Sequence, residues 1–359
     1  MRRRTILSIL VAAVALPAQA APPHYKVTLL APLAHGQLTQ VTGVNSAGQA
    51  VGWGNDNLTR RAVSWSSDGA VTAISPEYGE ARGINDAGAI AGFTITAGVQ
   101  YATLWSGGTM QQIASPNWET FDAISGNGHA AGGNIVGSDL HAIYYDGTMH
   151  DIGAFDGDHA GATGINNSDQ VVGSSSRIEF GLTVMHAFYY SNGVMDDMGT
   201  LGGPESYAHG INNGGIAVGV AQAADWAGHA FSYDGGVMTD LGGLPGHSAS
   251  DAVAINDLGQ IVGDSEVGGD RRATLWQDGQ IYDLNSLLNG SGVGWQLQDA
   301  LGISSNGAIV GTGTYHGVRS NYLLQPAPAP EPTSWALMVV GFGAVGAALR
   351  NRRRLVVAA

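Results

Sequence analysis

The chain is predicted to be all-β and, more narrowly, a seven-bladed β-propeller closed by an N-terminal strand. Three observations predict it: a short element recurs along the chain, apolar and polar residues alternate between Gly- and Asn-rich turns, and the two ends of the array are incomplete in complementary ways. The element reads GVNSAGQAVG at 43–52, GINDAGAIAG at 83–92, AISGNGHAAG at 123–132 and GINNSDQVVG at 164–173. It returns as GINNGGIAVG at 210–219, AINDLGQIVG at 254–263 and GISSNGAIVG at 302–311. Its central Val or Ile falls at 44, 84, 124, 165, 211, 255 and 303, giving seven copies at intervals of 40, 40, 41, 46, 44 and 48 residues. A period of about 40–45 residues with four strands per unit is that of a propeller blade.

The unit is clearest between His186 and Gly219. HAFYY alternates and is aromatic-rich, Ser191-Asn192-Gly193 is a tight turn, and VMDDMG is the next strand. Gly202-Gly203-Pro204 reads as a break, Tyr207 to Ile211 as a strand, Asn212-Asn213-Gly214-Gly215 as a turn, and IAVG as a strand. Small residues recur two places before the Gly or Ala of GIN in five copies, at Ala81, Ala162, Ala208, Ala252 and Ala300, which suits the crowded strand nearest a propeller axis. The Gly that ends each VVG marks a bulge or a close backbone approach. Trp65, Trp105, Tyr145, Tyr190, Tyr233 and Trp276 each end a strand just before a turn, a regular recurrence that predicts packing between blades.

Closure follows from phase. Residues 25–33, YKVTLLAPL, precede the first GVN element and occupy the place held in inner repeats by the last strand of the preceding unit. The seventh unit lacks that strand, because it runs to Tyr322-Leu323-Leu324 and meets Pro326. Residues 25–30 are therefore expected to complete the seventh blade and leave no free sheet edge. An open β-solenoid is the alternative architecture, since it needs no complementary ends.

Composition agrees with a turn-rich β protein of low charge. Gly accounts for 55 of 359 residues and charged residues for 12%, against the usual ~7% and ~25%. Cysteine is absent, which excludes disulfides and thiolate metal sites. Seven of the 15 Lys and Arg lie in the terminal segments, so residues 21–330 carry 8 basic against 28 acidic side chains, a formal charge of −20. Such a surface repels phosphate backbones, and no nucleic-acid partner is expected.

Residues 1–20 read as a secretory signal. Arg2-Arg3-Arg4 is the basic start, Ile6 to Leu16 the apolar core, and Ala18-Gln19-Ala20 the small-residue cleavage site for signal peptidase, with the mature chain starting at Ala21. Residues 21–325 form the repeat body and 326–333 a proline-rich spacer. Residues 334–359 are expected to form an apolar helix with a basic end: 335–349 is an uncharged apolar run, and Arg350, Arg352, Arg353 and Arg354 follow it on the cytoplasmic side. Membrane contact through that helix is either transient or permanent.

The tail resembles the PEP-CTERM sorting signal, through Pro330-Glu331-Pro332, Trp335 in SWALM, the Gly-rich GFGAVGAA and the arginines. The resemblance implies recognition by an exosortase-like membrane enzyme in a Gram-negative bacterium that makes extracellular polysaccharide. It places the product in the cell envelope, on the outer surface or in the matrix. The body resembles the HAF-repeat family of extracellular proteins, in His186-Ala187-Phe188, His229-Ala230-Phe231 and His141-Ala142-Ile143 with the flanking MDDMGTLGG and GINNSDQVVG. The His is replaced in Arg61-Ala62-Val63, Tyr101-Ala102-Thr103 and Arg272-Ala273-Thr274.

Candidate chemistry is sparse. His141, His186 and His229 share one repeat position, so a ring would hold them in different blades, too far apart to chelate one ion. Asp156 and Asp158 offer hard oxygen ligands to calcium without the remaining ligands of a known loop, and no other cofactor is suggested. The Asn-Asp and Asp-Gly turns are what hairpins require. The residue before each Gly or Ala of GIN is Thr42, Arg82, Asp122, Thr163, His209, Val253 or Leu301. Asp122, His209 and Arg82 are the charged or titratable members, and a glycosidase wants two carboxylates where this ring gives one. The reading is a non-enzymatic exported surface or matrix protein that binds or assembles with exopolysaccharide. The competing reading is a carbohydrate-active enzyme using Asp122, His209 and Arg82 at the axis.

Overall fold

Each repeat folds as a four-stranded antiparallel sheet, and the seven sheets stand around one axis. The computed structural model describes residues 22–33, 38–57, 59–113, 119–156 and 158–327. The inner strands are Thr39–Val44, Tyr78–Ile84, Thr120–Ile124, Ala160–Ile165, Gly202–Ile211, Ala249–Ile255 and Trp295–Ile303 for blades 1 to 7. Each touches the inner strand of the next blade, and the seventh touches the first, so the ring is closed. His24–Leu30 is the outer strand of blade 7, antiparallel to Val318–Ala327, with His24 opposite Ala327 and Leu30 opposite Asn321. The expected closure by an N-terminal strand is what the fold shows, and the solenoid is set aside.

The core is divided between blades rather than shared at the centre. Seven buried clusters each span two adjacent blades. One joins Val51 and Ala62 of blade 1 to Ala81, Ile90 and Trp105 of blade 2, and another joins Val218 and Ala230 of blade 5 to Ala252, Ile261 and Trp276 of blade 6. Trp65 and Trp276 also donate their indole N–H to the carbonyls of Ala31 and Gly242. The recurrent aromatics therefore pack between blades, as expected. A small Ala inside and a large ring at the facing position fill the same gap, which is how sheets converging on an axis reach interior density.

A bulge interrupts every inner strand at the residue before the Gly or Ala of GIN. The register skips that residue between Val41 and Gly43, Ala81 and Gly83, Ala208 and Gly210, and Ala252 and Ala254, as in the other blades. The extra residue kinks the strand and brings a carbonyl against the second strand. A Cβ at Gly263 would lie 1.9 Å from the Asp251 carbonyl oxygen, so the final Gly of the repeat is required by that approach.

The Asn of GIN ties blade to blade. Its side-chain oxygen accepts from its own turn, as Asn256 does from the N–H groups of Leu258 and Gln260. Its amide reaches the next blade: Asn45 to the Asn85 carbonyl, Asn85 to Ser125, Asn166 to Asn212, Asn212 to Asn256 and Asn256 to Ser304. Asp could accept but not donate, so the position requires Asn. Blades 3 and 7 carry Ser there, and an Asn two residues later takes over, Asn127 reaching the Asn167 carbonyl and Asn306 the Ser46 carbonyl. Seven amides thus complete a belt around the ring.

Two expectations need correction. Gly202-Gly203-Pro204 does not break blade 5, because the inner strand runs Gly202–Ile211 and absorbs them through a second register shift between Gly202 and Ser206. The spacer expected from 326 starts later, since Pro326 and Ala327 end the last strand, where a missing N–H costs no ladder bond. The all-β expectation holds, with two short 3-10 turns, Leu284–Leu287 and Gly290–Gly292, beside the strands of the described residues. The signal segment 1–20 and the tail residues from Pro330 to Arg354 lie outside the described residues. No helix among the described residues is long and apolar enough to cross a membrane.

Candidate functional site

The axis is where the sequence predicts polar side chains from successive repeats to converge, and it has two unlike ends. Val44, Ile84, Ile124, Ile165, Ile211, Ile255 and Ile303 form an apolar waist. On one side, here the Asn face, lie the GIN turns with Asp86, Asn213, Asp257 and Ser305. Inner strands begin at the other side, where a cavity of about 210 Å³ is lined by Thr42, Asp122, Thr163 and His209. The bulge aims these side chains, because it adds one residue without advancing the ladder.

Their partners are their neighbours. Thr42 Oγ1 donates to the Ala81 carbonyl at 3.0 Å and Thr163 Oγ1 to the Ala208 carbonyl at 2.7 Å, each in the next blade. Arg82 lies 2.8 Å from Glu80 and 3.7 Å from Asp122 of blade 3. Burial pushes the Asp122 carboxyl up from its ordinary value, against the opposing pull of Arg82. His209 Nε2 sits 3.2 Å from Asp251 Oδ1 of blade 6. Burial alone would lower its pKa, but the hydrogen bond and charge of Asp251, helped by Asp264, hold it above the ordinary value. Arg82 and Asp122 are therefore brought together, while His209 is paired elsewhere across the mouth.

Two charged seams flank the mouth, and only part of each was expected. In blades 1 to 3, Arg60 joins Arg82 on the buried Glu80, with Arg60 stacked 3.9 Å over the Trp53 ring and Arg82 5.6 Å from the Phe93 ring. In blades 6 and 7, Arg271 lies 2.9 Å from Asp299, 3.2 Å from Glu266 and 3.5 Å from Asp264. Burial, with the charges of Asp251, Asp299 and Glu266, pushes Asp264 up to about 7 despite Arg271. Glu80, Asp251 and Asp299 all stand three residues before the Gly or Ala of GIN, two places before the position singled out in sequence.

The histidines that recur at one repeat position brace the outer strands. His141, His186 and His229 pair through Nδ1 with Asp151, Asp197 and Asp240, at 2.9, 2.9 and 2.8 Å. The same carboxylates accept from the N–H groups of Gly153, Gly199 and Gly242. Where Arg272 replaces the His, it reaches Asp283 at 3.6 Å. Asp156 accepts from the Ile178 N–H, and Asp158 pairs with His159 at 2.6 Å. No group of three or more His, Asp or Glu close enough to hold a metal ion occurs among the described residues.

The fold defines the chain's class as a β-propeller, and solved structures agree. It is similar to the β-propeller domain of the trilobed protease from Pyrococcus furiosus, with 12% identity and a TM-score of 0.57 over 81% of this chain and 94% of that one. The acylaminoacyl peptidase of Pyrococcus horikoshii gives 13% identity and a TM-score of 0.55, over 81% of this chain and 52% of that one, so this chain spans about half of that peptidase. An oligogalacturonate lyase in complex with manganese gives 11% identity and a TM-score of 0.50, over 84% and 91%. At such identities the likeness concerns the fold alone. No curated protein matches the chain in sequence. The C-terminal residues 328–354 match the PEP-CTERM protein-sorting motif. The chain is thus a bacterial propeller bearing a signal for exosortase-dependent sorting to the cell envelope or surface.

Proposed function

We propose that the protein is a non-enzymatic component of an extracellular polysaccharide matrix, made with a signal peptide at 1–20 and belonging to the HAF-repeat type of extracellular propeller. The sorting motif at 328–354 is the observation that carries this reading. The pairing at the axis supports it: Arg82, Asp122 and His209 each reach a neighbouring blade, and Asp122 and His209 have different partners. A glycosidase requires two carboxylates set about 5–10 Å apart across a substrate cleft. Among the described residues that line the axial cavity Asp122 is the one carboxylate, already beside Arg82, and the flanking Glu80, Asp251, Asp264 and Asp299 are held in pairs with Arg82, His209 and Arg271.

The test is binding against turnover. Purified full-length protein should bind polysaccharide on a glycan array and release no reducing ends during prolonged incubation. Turnover of any polysaccharide that disappears in Asp122→Asn would replace this reading with the enzymatic one. Intact mass of the cell-derived protein reads both cleavage events, at Ala20–Ala21 and within the tail.

A further inference from the structure

The seven units differ in length, and two sets of extra residues change the shape of the body most. One is the pair of 3-10 turns between blades 6 and 7. The other is a finger in blade 4, whose second strand, Val171–Glu179, has nine residues where the other six blades have seven. Its partner Leu182–Ser191 has ten. Two more residues per strand raise the tip about 7 Å above its neighbours. Insertions that leave a repeat's core unchanged commonly sit on its binding face.

The tip is built against local preference. Six blades make this turn with two residues, and the first, at positive φ, is Asn57, Ala97, Gly137, Gly268 or His316 in the others and Phe180 at φ 50 in blade 4. A bulky apolar residue in the left-handed region is a backbone outlier, and Phe180 gains nothing there from burial because it is fully exposed. Leu182 beside it is 69% exposed, and Trp226, at φ 70 on the matching turn of blade 5, is 70% exposed. Strain kept at a surface position points to use rather than to folding.

The tips lie on the face where inner strands begin. Both chain ends leave the ring on the opposite, Asn face, where His24 pairs with Ala327 and Pro326 lies 3.7 Å from where a Gly307 Cβ would stand. The last described residue, Ala327, thus leaves the ring on the face opposite the finger. The formal charge of −20 over residues 21–330 opposes a second copy, an anionic lipid surface and an acidic polymer alike. An uncharged partner with apolar faces and hydroxyl edges fits, because pyranose C–H faces stack on aromatic rings. We propose that Phe180 and Trp226, flanked by Leu182, form a stacking surface for an uncharged polysaccharide. This deepens the matrix reading and rests on it.

Purified full-length protein should bind at least one of dextran, mannan, galactomannan and a β-1,3-glucan. Phe180→Asn combined with Trp226→Ser should weaken that binding at least tenfold without lowering the melting temperature, since Asn suits positive φ. Phe180→Tyr should retain it. Equal binding by the double variant would overturn the assigned surface and leave the matrix reading standing, whereas binding of none by the wild type would overturn both. Vesicle flotation with phosphatidylethanolamine and phosphatidylglycerol, and sedimentation, cover the other occupants. Flotation or dimerisation abolished by the double variant would assign the tips to lipid or to a second copy and sink the proposal.

Discussion

At the scale of single residues, the repeat is explained by what each side chain must both give and take. Asn256 holds its turn through one atom and the next blade through another, and losing a buried donor of this kind costs about 1–3 kcal/mol. Asp264 works the other way, since its charged form is disfavoured where it sits. With a folded pKa of about 7, raised from 3.8, the folded chain binds the proton more tightly than the unfolded chain. Stability from this group is greatest at low pH and falls as pH rises from about 4 to about 7. His209 acts in the same sense, since its raised value stabilises the fold below its unfolded pKa and the contribution fades as pH climbs through the folded one. Asp251, Asp299, Glu266 and Arg271 face the same seam. Asp264→Asn should therefore flatten the pH dependence and raise stability at pH 8 by roughly 1–3 kcal/mol, read from urea midpoints at pH 5 and pH 8. An unchanged slope would show that Asp264 does not titrate in this range.

At the scale of elements, the 48-residue interval before the seventh repeat has a structural use. Leu284–Leu287 and Gly290–Gly292 form a strap along the exposed edge of the closure strand. The Asn289 N–H donates to the Tyr25 carbonyl, and Ser291 Oγ accepts from the Val27 N–H at 2.8 Å. At seven residues the closure strand is the longest outer strand, and an uncovered edge of that length invites pairing with another chain. Ser291→Ala should cost about 1 kcal/mol and speed hydrogen exchange at Val27 while leaving exchange in blade 3 unchanged. Little of this was legible beforehand, because LNSLLNGSGVG reads locally as a polar turn and its partner lies 264 residues away. The blade strands were legible, since alternation and turn chemistry are local. The exceptions have local causes: Gly203 and Pro204 sit beside a register shift that tolerates them, and the bulge hid Glu80, Asp251 and Asp299 by changing which residues share a face. The cross-blade reach of Asn85 and its counterparts was invisible for another reason, because a repeated Asn is already accounted for by its own turn.

At the scale of the whole molecule, closure decides whether seven sheets are one cooperative body or a row of neighbours. The closure strand contributes Tyr25 and Val27 to the cluster between blades 6 and 7, and Leu30 to the cluster between blades 7 and 1. Burial pushes the Tyr25 hydroxyl up to about 12, consistent with a strand seated inside the body. Three such side chains at about 2 kcal/mol each come to roughly 6 kcal/mol, comparable to the whole stability of many domains. Deleting residues 24–30 should accordingly do more than shorten one sheet. It uncovers the edge of Val318–Ala327, opens both flanking clusters and leaves blade 7 as three strands. The expected result is a broad, non-cooperative melt with self-association in sedimentation, and recovery of the sharp transition when a peptide of residues 22–33 is supplied in trans. Recovery distinguishes a missing strand from general damage, because the peptide restores only the contacts that the deletion removed. A deletion variant that melts as sharply as the intact chain would mean that the ring holds without its latch, through the Asn belt and the inner strands alone.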